Sequence, residues 1–418
     1  MNAKRTRYSA ALLLAAMLTS TASAQEGTPA LEGGESQEEL KGTLEGMAEQ
    51  LQALQSDTDK LKKFKFSGYV QARWQTSENK SDTVRVERSP AVLIPANTER
   101  FFIRRARLKM TYDSSPLSRA VVYFDGGQDR TIRLLEAYVT WLDPWTPLHA
   151  HALSVGQMNV PFGYEIERSS SARELPERSL AQNVLFPGER DRGIKLVSQW
   201  TPQIETMLGV FNGGGVSHPD FPDTDPTRAK DLIARARYSQ GTVDGAVSFY
   251  SGKNTTALTG EDVETDKTRL GLDGQFYYAL PMAGGGSLRG EFYSGKNVNR
   301  DSVKVLTVAA SSSNPVTLLK AGADPDHFAT DFTGWYAMWV QNLGESFEVA
   351  VRYDLFDPNT DLDHDQFERT SLGLNWFYDG FTRLSVSYDI PRTDRSLGSG
   401  GYDDPKDNLW TLQFQHKF

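Results

Sequence analysis

The sequence predicts an all-β transmembrane fold, an antiparallel barrel of about 16 strands preceded by a short N-terminal coiled-coil helix. Three observations point there. From Phe64 onward, apolar and polar residues alternate with period two in one segment after another. The connections between these segments alternate between short and long. Beyond the N-terminal leader no apolar run is long enough for a spanning helix, so the chain can enter a bilayer only as closed strands.

The leader is read over residues 1–24. Lys4, Arg5 and Arg7 make a basic start, Ala10 to Leu18 an apolar stretch too short to cross a membrane, and Ala22-Ser23-Ala24 a small-residue cleavage site. The mature chain is expected to begin at Gln25. Its composition is rich in Gly, Tyr, Phe and Trp yet polar on average, which suits a wall with one face in hydrocarbon and one in water. There is no cysteine among the 418 residues, so disulfides, thiolate metal sites and cysteine nucleophiles are excluded. The net charge of −9 argues against nucleic acid as a partner.

Residues 25–63 read as a periplasmic linker and helix. Leu40, Leu44, Met47, Leu51, Leu54, Thr58 and Leu61 alternate steps of four and three, the seam of a coiled coil. One helix cannot bury this stripe alone, so self-association is expected; the alternative is a lone amphipathic helix at the barrel's periplasmic mouth.

Residues 64–418 read as the barrel. The first strand places Phe66, Val70, Ala72 and Trp74 on one face and Ser67, Tyr69, Gln71 and Arg73 on the other. Similar segments begin near Phe101, Ala120, Ile132, Ala152, Ile194, Glu205, Leu232, Val243, Arg269, Ser287, Thr333, Phe347, Thr370, Phe381 and Leu409. Tight turns are read at Asp113–Pro116, Asp143–Pro147, Thr201-Pro202, Gln240-Gly241, Gly284–Gly286, Gly344-Glu345 and Asp379-Gly380. The longer loops are 78–98, 158–190, 212–228, 252–265, 295–327, 356–367 and 390–408. The last segment, Leu409 to Phe418, alternates and ends on an aromatic ring, as a barrel-insertion signal does, with His416 where an apolar residue is more usual.

Ordered motifs carry a family resemblance. Gly68-Tyr69-Val70-Gln71-Ala72-Arg73-Trp74, Phe102-Ile103-Arg104-Arg105-Ala106-Arg107-Leu108 and Glu136-Ala137-Tyr138-Val139 resemble the phosphate-selective porin O and P family. So do Val155 to Glu165, Arg190-Asp191-Arg192-Gly193 and Gly209-Val210-Phe211-Asn212-Gly213, across roughly 64–418 and most densely in 64–240. The resemblance implies an outer-membrane porin of a Gram-negative-type bacterium: a homotrimer whose inward third loop narrows an anion-conducting lumen.

Alternation assigns the charged residues to faces. Phe102, Ala106, Leu108, Met110 and Tyr112 are expected toward lipid, with Arg104 on the outer face near the rim. Arg105, Arg107 and Lys109 are expected to form a ladder in the lumen, joined by Arg73, Lys195, Arg235, Arg237, Arg352, Arg369 and Arg383, because charge facing hydrocarbon is costly. Loop 158–190 is the expected constriction, carrying Arg168, Arg173, Arg178 and Arg190, with Arg192 just beyond and five glutamates, Glu165, Glu167, Glu174, Glu177 and Glu189. Arginine suits phosphate because its planar fork donates two hydrogen bonds at once. The partners expected are inorganic phosphate or other small anions, and outer-membrane lipid.

The plainer reading is a general porin lining, since Glu136, Glu348 and Asp354 are also expected inward. An envelope-tethering or adhesive barrel is a further alternative. The acidic stretch Asp357 to Glu368 has carboxylates spaced as in a calcium loop but lacks the glycine at its sixth position, and His149 and His151 have no third ligand nearby. No metal site, cofactor or catalytic residue is expected, and the protein is not read as an enzyme.

Overall fold

The structure, a computed structural model, describes residues 37–78, 83–85, 93–95, 99–127, 131–216, 229–258, 261–298, 329–361, 366–393 and 408–418. The leader and the stretch 25–36 lie outside the described residues, as does part of the acidic stretch, 362–365.

The heptad segment forms one helix, α1 (Gln37–Lys62). Met47, Leu51, Leu54 and Leu61 of its apolar stripe are all exposed. The barrel begins with β1 (Phe64–Ser77) and ends with β18 (Leu409–Lys417). These two strands pair antiparallel from Tyr69↔Lys417 to Ser77↔Leu409, and β1 also pairs with β4 (Arg100–Ser115), so the ring closes. In chain order the wall continues through β5 (Ser118–Asp125), β6 (Arg133–Leu142), β7 (His151–Asn159), β8 (Arg190–Gln199), β9 (Ile204–Phe211) and β10 (Asp231–Gln240). It is completed by β11 (Val243–Leu258), β12 (Glu261–Leu280), β13 (Gly284–Val298), β14 (Ala329–Leu343), β15 (Phe347–Asp357), β16 (Phe367–Phe377) and β17 (Thr382–Thr393). A separate two-stranded ribbon, β2 (Thr83–Arg85) with β3 (Leu93–Pro95), lies in the first long connection. The barrel therefore has sixteen strands, all antiparallel, in the order the period-two segments predict.

Alternation explains the wall. On β12, Leu270, Leu272 and Phe276 are exposed outward, whereas Arg269, Asp273 and Gln275 are buried inward. Charged and amide side chains inside satisfy one another, and apolar ones outside suit hydrocarbon. The seam is finished at the C-terminal residue: Phe418 N donates to Gly68 O at 3.0 Å and Gly68 N donates to Phe418 O at 2.9 Å.

Two expectations change. The register of β1 against β4 slips between Gln71↔Arg105 and Ala72↔Ile103, leaving Arg104 as an extra bulged residue. The phase of the alternation flips there. Phe101 and Ile103 face outward, at 78% and 45% exposed, and Phe102, expected toward lipid, is half-buried. Arg104, expected on the outer face, instead bonds an inward loop residue (below). The segment 252–265, expected as a loop, is mostly strand: β11 and β12 stay paired as far as Leu258↔Glu261.

The connection between β7 and β8 folds inside the ring. It carries two short helices, α2 (Gly163–Glu167) and α3 (Leu180–Leu185). Its apolar residues Phe162, Ile166, Ala181, Leu185 and Phe186 form one buried cluster with the wall residues Phe211, Ile233, Tyr250, Tyr293, Phe332 and Phe356. Inward phenylalanine and isoleucine on these strands depart from a purely polar lining because they pack on the loop.

Candidate functional site

Among the described residues, a dense concentration of charge lies where the inward connection meets β1 and β4. Arg73, 1% exposed, places Nη1 2.5 Å from Glu177 Oε1 and donates from Nε to Gln413 Oε1 at 2.7 Å. Arg104 Nε reaches the same Glu177 oxygen at 2.8 Å, and Arg105 Nη2 lies 3.5 Å from Glu177 Oε2. One carboxylate thus serves three guanidiniums. The bulge at Arg104 is what brings the third one in. Burial alone would raise the Glu177 carboxyl, but Arg73, Arg105 and Arg104 outweigh it and hold it well below the usual carboxylate range.

The ladder continues below. Arg107 pairs with Asp125 at 2.8 Å and donates to Tyr69 Oη at 3.0 Å and Ser170 Oγ at 2.9 Å. Lys109 and Arg190 share Glu136, at 3.5 and 2.9 Å. Arg107, Lys109 and Arg190 stand 5.7, 5.6 and 5.9 Å from the centre of the Tyr123 ring, whose electron-rich face eases their mutual repulsion. From the loop, Arg173 and Arg178 both pair with Glu189. Burial pushes the Arg173 guanidinium down to about 10, which leaves it charged at neutral pH. Eight cations (Arg73, Arg104, Arg105, Arg107, Lys109, Arg173, Arg178 and Arg190) therefore share four acidic ion-pair partners, Glu177, Glu189, Asp125 and Glu136. The buried Nε–H groups of Arg105 and Arg173 find no acceptor among the described protein groups.

The other expected site residues divide differently. Arg168 pairs with Glu174, which also takes Arg289 at 2.7 Å, so Arg168 lies in a loop-to-wall contact apart from the ladder. Arg352 and Arg369 both pair with Asp354, and both donate to Arg178 O; they tether the loop. Arg235 pairs with Asp273 at 2.5 Å and Arg237 with Asp244. Lys195 donates to Asn159 O at 3.0 Å, and Arg192 Nε donates to Gln157 Oε1 at 3.1 Å. Glu167, exposed at the end of α2, is the loop acid on which Arg235, Lys195 and Arg237 act electrostatically. The lumen thus has a positively charged face beside β1 and β4 and a mixed face beside β8 to β10.

Several residues escaped the sequence reading. Lys267 pairs with Asp231 at 2.6 Å, and Arg269 stacks 4.4 Å from the Phe186 ring centre and 4.9 Å from that of Tyr250. Arg289 and Glu291 are also inward. All four occupy alternate positions of period-two strands, so the same alternation that marked Arg235 and Arg237 could have found them.

Residues 95–272 match the family model of phosphate-selective porin O and P. The resemblance read from the motifs is thereby shown. The phosphate-selective porin match runs from just before β4 into β12, so it includes Arg105, Arg107, Lys109, the inward loop and Lys195, but not Arg73 or Glu291. Among solved structures, the fold is similar to an anion-selective porin from Comamonas acidovorans, at 14% identity and a TM-score of 0.56, over 85% of this chain and 99% of that one. It is similar to the trimer form of OmpT, an outer membrane protein of Vibrio cholerae, at 10% identity and a TM-score of 0.55, over 85% and 99%. It is also similar to the outer membrane channel DcaP of Acinetobacter baumannii, at 12% identity and a TM-score of 0.53, over 85% and 97%. At such identities the likeness is one of fold. None of the curated proteins matches.

Proposed function

We propose that the protein is an outer-membrane porin, a water-filled channel through which small anions, phosphate among them, diffuse passively. The porin-family match and the likeness to outer-membrane channels support the channel. The observation that carries the anion preference is the sharing of Glu177 by Arg73, Arg104 and Arg105, beside Arg173, with guanidinium donors left over. Fixed positive charge at a narrow place raises the local anion concentration, and transit also needs release, which several moderate sites in series allow. Arginine forks aimed from wall and loop suit a tetrahedral oxyanion.

A second reading, a general porin, is favoured by the mixed face, where Arg235, Arg237 and Lys267 are each neutralised by an aspartate. Reversal potentials in planar bilayers under a salt gradient decide between them. The wild type is expected to favour chloride over potassium, with phosphate competing for the chloride current. Arg105→Glu with Arg107→Glu is expected to remove that preference. A selectivity that the double variant leaves unchanged rejects these residues as lining.

The self-association expected of α1 belongs to the same proposal. Its exposed Met47, Leu51 and Leu54 stripe supports a homotrimer held at least in part by helix–helix packing.

A further inference from the structure

The inward loop has to be held still if it is to define a constriction, and the ion pairs around Glu177 hold only its later half. Its earlier half, at α2, meets the wall through the Glu165–Arg352 ion pair, a bond from Gly163 N to Ser248 Oγ, and a further contact with more donors than either. Glu291, on β13, is 3% exposed. Its Oε1 accepts from Glu165 N at 2.9 Å and Tyr336 Oη at 2.8 Å. Its Oε2 accepts from Tyr164 N at 2.9 Å and Tyr293 Oη at 2.6 Å. No described ion pair includes Glu291.

The geometry points to Glu291 as the positioning residue that pins the start of the constriction loop to the barrel wall. This reading rests on the porin proposal only for its effect on current.

The chemistry of the side chain explains why an acid stands here. A carboxylate is an acceptor only, with two oxygens and about four lone-pair sites, and it is offered four donors, one backbone N–H and one phenol on each oxygen. A glutamine could accept on one end atom alone and would turn N–H bonds of its own toward a backbone N–H and a phenol. The approach is also shaped for it. Gly163, at φ +66°, precedes the two donating amides, and a Cβ there would sit 2.6 Å from Glu291 Oε2. Phe162 is wholly buried just before, with Gly271 on β12 making room for its ring; a Cβ at Gly271 would lie 2.8 Å from it. Tyr293 Oη also lies 3.2 Å from Gln182 Oε1 on α3, so the same corner touches both loop helices. Among the described residues, the acids Glu165 and Asp273 near by are already engaged, Glu165 with Ser179 and Arg352 and Asp273 with Arg235.

Hydrogen–deuterium exchange on the full-length protein in detergent tests this. The amides of Tyr164 and Glu165 are expected to be protected in the wild type and to exchange about tenfold faster or more in Glu291→Gln, as loss of a buried two-oxygen acceptor implies. Protection of β12 and β14 should stay as in the wild type, and Tyr336→Phe, which leaves both loop amides their acceptors, should change the loop little. Gly163→Ala should loosen the same two amides if Glu291→Gln fails to assemble. Equal protection in wild type and variants, or a loss spread evenly through the strands, would overturn the assignment. Single-channel recording separates it from the porin proposal. A wild type with no conductance rejects the channel while leaving the exchange result to decide the pin. In a conducting barrel the Gln variant should show added open-channel noise.

Discussion

At the scale of single residues, the decisive contact is one acid among three arginines. Because Arg73, Arg105 and Arg104 hold the Glu177 carboxyl below its ordinary value, the ion pairs contribute stability fully above about pH 4.3, the unfolded value, and lose it as pH falls toward the lower folded one. Loop docking should therefore survive mild acid. Glu177→Gln removes the counter-charge and leaves three guanidiniums facing one another. The anion preference read from reversal potentials is expected to rise, and the temperature at which the folded band converts on gels to fall by several degrees. A variant that matches the wild type on both counts would show Glu177 to be a bystander. Alternation alone marked Arg73, Arg105, Arg107 and Lys109 as inward, since a period of two needs only the local sequence. Their pairing was illegible: Glu177 lies 104 residues from Arg73, and no spacing rule reports a contact made across a lumen. The same limit hid Glu291, whose partners are backbone amides 126 and 127 residues away.

At the scale of elements, the sixteen strands were legible because each carries its own alternation and each turn its own Gly, Asp or Pro. What failed was phase and length. A single extra residue at Arg104 inverts the faces of 101–103, and nothing in composition announces it. The paired extensions of β11 and β12 read as loop because their polar residues do not alternate. The seam between the first and last strands is the element most sensitive to one atom. A Cβ on Gly68 would lie 2.4 Å from Arg107 O and 2.5 Å from the Phe418 ring. Gly68→Val is accordingly expected to lower the yield of heat-modifiable barrel on refolding into detergent, whereas Gly274→Val, whose Cβ meets nothing within 4 Å, is expected to fold normally. Equal yields would mean that the seam tolerates the displacement of Phe418.

At the scale of the whole molecule, the family match, the closed ring and the outward apolar belt agree with one another, which is the consistency expected of a sequence that specifies a single fold. The assembly state is tested by cross-linking the full-length protein in detergent. A ladder ending at three subunits is expected, with its upper rungs weakened by Met47→Glu together with Leu51→Glu. A ladder that stops at one subunit would remove the trimer from the proposal.

The inward loop has one consequence for how such a barrel comes into being. Phe162 and Ile166 leave the wall after the fifth of its sixteen strands, yet Tyr293, Phe332 and Phe356, against which they pack, belong to strands made much later in the chain. An intermediate holding only the first five strands lacks every wall partner that β9 to β15 give this greasy segment. If strands are laid down in chain order, the segment is expected to complete its docking late, after β9 to β11 have offered Phe211, Ile233 and Tyr250 and β13 to β15 the rest.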